Sequence, residues 1–154
     1  MNTDLDLLLE RDIAAPPALV WRCWTEAELL MQWFTPKPVE TVEAEIDPVA
    51  GGKFYTKMRL PDGQEMGSEG CVLLAEPARR LVFTDALAGG WRPNAQPFMT
   101  AELSFEPSGG GTAYRALVLH HDAEAKRKHE EMGFFDGWGT ATDQLAALAA
   151  TLAE

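Results

Sequence analysis

The chain has 154 residues, 46% of them hydrophobic and 24% charged, the composition of one globular domain (residues 1–154) with a core of its own. These proportions exclude intrinsic disorder and collagen-like scaffolds, and no apolar run approaches the length of a membrane-crossing helix. With 13 Lys and Arg against 24 Asp and Glu the net charge is −11. Phosphate backbones and anionic headgroups repel so acidic a surface, so neither nucleic acid nor a membrane is an expected partner.

Leu5 to Ile13 alternates with period two and predicts a strand. Ala14-Ala15-Pro16-Pro17 breaks it and opens a short helix to Trp24, proline being tolerated in a first helical turn. Thr25, with Glu28 three residues on, has the capping-box spacing, which predicts a second short helix over Glu26 to Phe34, stopped by Pro36 and Pro38. Six further strands follow. They are Val39–Ile46, Lys53–Leu60, Glu65–Glu76, Arg80–Asp85, Phe98–Glu106 and Thr112–His120. Pro61-Asp62-Gly63 marks one tight turn and Gly109-Gly110-Gly111 a hairpin tip. Ala86 to Gln96 is rich in Gly and Pro and reads as a loop.

Trp138, Ala141, Leu145, Leu148 and Leu152 recur at steps of three and four, the core stripe of a long terminal helix. Its start is expected back near Glu124 to Glu131, with Gly133, Gly137 and Gly139 weakening the early turns. The fold class is therefore α+β: a curved antiparallel sheet around one long C-terminal helix, with two short helices after the first strand. A sheet wrapped on a single helix leaves room between the two, and such a space takes a ligand.

Catalytic signatures are absent: there is no GxSxG, no HExxH and no phosphate-binding loop. Cys23 and Cys71 are too few for a disulfide framework and have no zinc spacing, so they read as buried free thiols. Met1 to Asp12 has no cationic stretch of the kind that opens a secretory leader, so a reducing cytoplasm is expected. His120, His121 and His129 lie among Asp122, Glu124, Glu130 and Glu131. Strand alternation allows only one of His120 and His121 to face inward, so no metal site is expected, while an inward His120 suits a polar anchor or an acid–base group. The expected cavity lining is Phe54, Met58, Phe83 and Phe98 from the sheet, with His120 at a strand end, and Phe135 and Trp138 opposite on the final helix. Trp33 and Trp91 are placed at its mouth. Trp91 sits in the Gly/Pro-rich loop, where a large aromatic either closes a pocket or covers the sheet edge.

Arg11-Asp12-Ile13-Ala14-Ala15-Pro16 with Val20-Trp21-Arg22-Cys23-Trp24-Thr25 resembles the opening of the SRPBCC superfamily. Gln32-Trp33-Phe34-Thr35-Pro36, Gly51-Gly52-Lys53-Phe54, Arg79-Arg80-Leu81-Val82-Phe83-Thr84 and the closing Gly137-Trp138-Gly139-Thr140-Ala141-Thr142-Asp143-Gln144-Leu145 continue the likeness. The nearest resemblance is to the family named for the C-terminal domain of the activator of the 90-kDa heat-shock-protein ATPase. One difference is local: an Asp-Pro pair common after the first short helix is here Glu26-Ala27. The resemblance implies a helix-grip (START-like) fold. It implies no universal catalytic set and no cofactor.

Three functions fit this reading. The first is binding of an apolar or amphipathic small molecule in the sheet–helix cavity. The second is a polyketide-cyclase-like enzyme on the same scaffold, with His120 as acid–base. The third is a stress-related regulator acting through its surface on a chaperone-type ATPase. Neither the ligand nor the oligomeric state is specified by the sequence.

Overall fold

The computed structural model describes residues 1–153. Strand β1 (Asp6–Ile13) buries Leu7, Leu9 and Ile13, the inward set of its period-two pattern. Helix α1 (Pro17–Thr25) buries Val20, Cys23 and Trp24, and the short α2 (Ala27–Leu30) buries Leu30. The meander β2 (Glu40–Ile46), β3 (Lys53–Arg59), β4 (Glu65–Glu76) and β5 (Arg80–Thr84) follows. A two-stranded ribbon, β6 (Leu87–Ala88) and β7 (Arg92–Pro93), precedes β8 (Thr100–Ser108) and β9 (Gly111–Leu119). The chain ends in α3 (Ala123–Glu131) and α4 (Phe134–Leu152).

The seven long strands form one curved antiparallel sheet in the order β1-β9-β8-β5-β4-β3-β2. β1 therefore closes beside β9, with Leu9 opposite Ala116 and Ile13 opposite Thr112. At the β8–β9 tip Gly109 (φ +56°) and Gly110 (φ +85°) both take the left-handed backbone that a two-residue hairpin needs. Helix α4 packs on α1 and β1, with Leu145 and Ala149 fully buried and Leu148 half-buried beside them. This is the helix-grip arrangement. Among the described residues no helix is long and apolar enough to cross a membrane.

Three local expectations are corrected. Thr25 does not cap α2: its hydroxyl donates to the Trp21 carbonyl at 2.8 Å, so it ends α1, and Glu26 stands at the cap with extended backbone. That acceptor four residues back in its own helix outcompetes the capping role. The second helix is one turn, because at Gln32 and Trp33 the chain tightens into bonds three residues back, Gln32 N–H to Leu29 and Trp33 N–H to Leu30. The terminal helix is two helices. Gly133 adopts φ +93°, which a continuous α-helix cannot accommodate, and α4 starts afresh after it. The loop expected over Ala86 to Gln96 also contains the β6–β7 ribbon, too short to show any alternation in sequence.

Candidate ligand-binding site

One wall of the site grows from α1, α2 and the segment after them. Trp24 is fully buried, and its ring centroid lies 4.7 Å from that of Trp33 and 5.9 Å from that of Phe34. The Trp33 indole N–H donates to the Cys23 carbonyl at 2.9 Å, which fixes its ring. Gln144 on α4 holds the following segment. Its Nε2 donates to the carbonyls of Trp33 (2.9 Å) and Thr35 (2.8 Å), and its Oε1 accepts from Lys37 N–H (3.0 Å). The sequence shows this role only as a polar residue beside an apolar stripe.

The opposite wall is the corner between α3 and α4. Phe134 and Trp138, four residues apart, share the helix face that looks toward the sheet, with ring centroids 5.3 Å apart. His129 packs edge-on to Phe134 at 5.1 Å and lies 4.8 Å from Phe98. Phe98 is held in turn by Asp85, whose Oδ1 accepts from the backbone N–H of Phe98 (2.7 Å) and of Met99 (3.0 Å).

Between these walls is an open cavity of about 490 Å³, within the range of small-molecule sites. Of the residues expected to line it, Trp33, Met58, Phe98 and Trp138 do so. Phe54 and Phe83 do not reach it. They stack 4.4 Å apart and nearly parallel, behind Trp24. Gly70 stands opposite Phe54 on β4, where an added Cβ would run into the Thr84 carbonyl. Phe135 is 47% exposed and Phe134 takes the lining place. Both stand one turn before Trp138, and only the position of the helix start distinguishes them. Trp91 is half-exposed at φ +64° in the ribbon's turn, and its indole covers Gly51 at the β2–β3 connection rather than the cavity. The lining residues that sequence patterning did not mark include Trp24, Met99, Met132 and His129.

His120 faces inward and His121 outward, as alternation requires. His120 has both ring nitrogens engaged: Nδ1 donates to the Leu5 carbonyl at 2.9 Å, and Nε2 lies 2.9 Å from Nδ1 of His129. His129, not His120, borders the cavity. Burial, with the charge of His120 as a lesser cause, pushes the His129 pKa down to about 4. Among the described residues no three His, Cys, Asp or Glu side chains gather in a metal-binding group. Both cysteines are buried and free, and burial pushes the Cys23 thiol up to about 11, so it is unreactive.

The family model for "Activator of Hsp90 ATPase homolog 1-like protein" matches residues 14–150. The chain belongs to this family. A search of curated proteins finds no match. Among solved structures, a protein from Nitrosomonas europaea is 41% identical, with 99% of this chain and 98% of that one covered and a TM-score of 0.95. A protein from Rhodobacter sphaeroides is 25% identical over 97% and 94% of the two chains, with a TM-score of 0.83. The AHSA1-like protein from Aeromonas hydrophila, 18% identical over 96% and 94%, has a TM-score of 0.70 and shares the fold. The helix-grip architecture of the activator-homologue family is thus the frame of the cavity.

Proposed function

We propose that this member of the activator-homologue family binds an apolar or amphipathic small molecule in the cavity between the two aromatic walls. The observation that carries the reading is the cavity itself: about 490 Å³, open at one side, and lined chiefly by tryptophan, phenylalanine and methionine. A core meant only to be packed leaves few voids larger than a water molecule. Met58, Met99 and Met132 around the space suit a site that adapts to its occupant. A ligand burying roughly 400 Å² of apolar surface would gain about 10 kcal/mol, and ordering costs of at least ~4 kcal/mol leave it at most about 6 kcal/mol, a Kd from tens of micromolar up towards millimolar. The two buried free thiols suit a reducing compartment such as the cytoplasm.

The test is a titration with fatty acids, sterols and planar aromatics, followed by tryptophan emission and ligand-observed NMR. Trp24, Trp33 and Trp138 line the space, so an occupant must perturb their emission. Recovery of the probe unchanged supports a binder, whereas conversion makes the protein a catalyst on the same scaffold. No binding below millimolar for any class refutes the reading and leaves action through the surface on a protein partner as its replacement.

A further inference from the structure

His129 meets the cavity through a chain of hydrogen bonds whose direction is fixed at its far end. The Leu5 carbonyl can only accept, so His120 carries its proton on Nδ1. In a neutral imidazole the other nitrogen is then a bare acceptor, so His120 Nε2 must accept from His129 Nδ1–H at 2.9 Å. His129, neutral as well, is left with a lone pair on Nε2. Among the described residues that atom has no partner, it is not sealed off, and the residue borders the cavity. Phe98 and Phe134 hold the ring from either side. Burial and the neighbouring His120 keep His129 neutral well below pH 7, so this is the state at physiological pH.

The rest of the cavity agrees with an acceptor site. Asp85 contributes a carboxylate, and no lysine or arginine is among the lining residues. The Thr35 hydroxyl is already committed to Thr41 and the Val39 carbonyl, and the Trp33 N–H to Cys23. The side-chain donors left are neutral ones, the Thr142 hydroxyl and the buried Trp24 indole N–H, which is turned to Tyr114. A carboxylate or phosphate inside would find no cation to pair with and would face Asp85, on a chain of net charge −11. A hydroxyl-bearing apolar molecule would find acceptors, the Asp85 carboxylate and the His129 Nε2 lone pair that the relay has oriented.

We propose that the cavity selects apolar ligands carrying a hydrogen-bond donor, a phenol or an alcohol, and rejects carboxylates, because the Leu5–His120–His129 relay presents the His129 Nε2 lone pair to the ligand. This rests on the small-molecule reading above and names the ligand class for that same site. His129 is the contacting residue and His120 a positioning residue that sets its tautomer.

The experiment uses the full chain at pH 7.5 with four matched probes: 2-naphthol, 2-methoxynaphthalene, naphthalene and 2-naphthoate, read by calorimetry and ligand-observed NMR. The expected result is 2-naphthol binding about tenfold tighter than 2-methoxynaphthalene, the factor that ~1.4 kcal/mol of one hydrogen bond provides. Naphthoate should bind weakest. In His129→Phe, the naphthol-to-methyl-ether affinity ratio should fall to about one, whatever change in affinity all four probes share. Nitrogen-15 NMR of labelled histidines should show the proton on Nδ1 and not on Nε2 in both His120 and His129, a readout independent of any ligand. If naphthol and its methyl ether bind alike, if naphthoate binds tightest, or if His129 carries its proton on Nε2, the donor-selective proposal is overturned while the cavity reading stands. If no probe binds, the cavity reading fails and takes the proposal with it. Should His129→Phe fail to fold, His129→Gln, which can turn an amide oxygen to the cavity, is expected to keep part of the naphthol preference, and its complete loss counts against the proposal.

Discussion

Acidification should destabilise this protein through His129 over a defined range. The side chain is 8% exposed, enclosed by Phe98, Phe134 and His120, and its pKa falls from 6.5 to about 4. The unfolded chain takes up a proton at that site as pH drops through 6.5, whereas the folded chain does not until about 4. More protons bound in the unfolded state means that stability falls with pH. The loss is absent above pH 7, amounts to roughly 2 kcal/mol by pH 5 at 1.36 kcal/mol per unit, and levels off near roughly 3 kcal/mol below pH 4. Other ionisable groups lie near the ring, including Asp85 across the cavity, Asp6 on β1, and His121 and Asp122 at the start of α3. The measurement is therefore a difference: urea unfolding of the native protein and of His129→Leu at pH 7.5, 6.5, 5.5 and 5.0. The native protein should lose about 2 kcal/mol more than the variant between the first and last. Equal losses, or a His129 NMR titration centred near 6.5, would refute the argument that burial holds the ring neutral.

Three further outcomes are expected. Leu145→Ala should cost roughly 2–5 kcal/mol in denaturant unfolding, since Leu145 is fully buried between α4 and the sheet; a loss under about 0.5 kcal/mol would mean that the stripe is not core. Gly137→Ala should stabilise by about 0.5–1 kcal/mol, because the residue is inside α4 and an added Cβ meets nothing within 4 Å; calorimetric melting checks it, and destabilisation would show the helix strained there. Tyr114→Phe should cost no more than about 1.5 kcal/mol, because the fully buried hydroxyl faces only the Trp24 indole N–H and falls short of full hydrogen-bond geometry with it; a larger loss in urea unfolding would mean that the pair is fully bonded in solution.

The sheet could be read from the sequence because its signals are local. Lys53 to Arg59 alternates without interruption, and Pro61-Asp62-Gly63 supplies both the left-handed glycine (φ +92°) and an aspartate that accepts from Gln64 N–H at 2.9 Å. The terminal stripe was equally plain, and Leu145 is at its centre. Errors gathered where two local rules compete or where a partner is distant. Gly133 could weaken a helix or end one, and it ends one where α3 turns back onto β1, which composition does not reveal. Phe134 and Phe135 are both one turn from Trp138, so periodicity could not separate them. The Gln144 bridge spans 111 residues to the Trp33 carbonyl, and the His120–His129 bond depends on where α3 lands. Strand alternation made His120 the cavity group, although its nitrogens are both used and the ring beyond it does the facing.

The two walls differ in how they are held, and this bears on what a substitution can reveal. The Trp33 wall is tied by the Gln144 bonds and by the Trp33–Cys23 bond, none of which involves a group that titrates near neutrality. The α3 wall is tied to the sheet by the His120–His129 bond and to the N-terminal segment by Lys126 Nζ, which donates to the Thr3 carbonyl at 2.9 Å. The bond that orients the His129 lone pair therefore also holds the helix that carries it. Any change at His129 alters affinity for every ligand to some extent, simply by loosening that wall. Only the ratio between a donor and its methyl ether isolates the lone pair, because both probes meet the same loosened wall and differ in one proton.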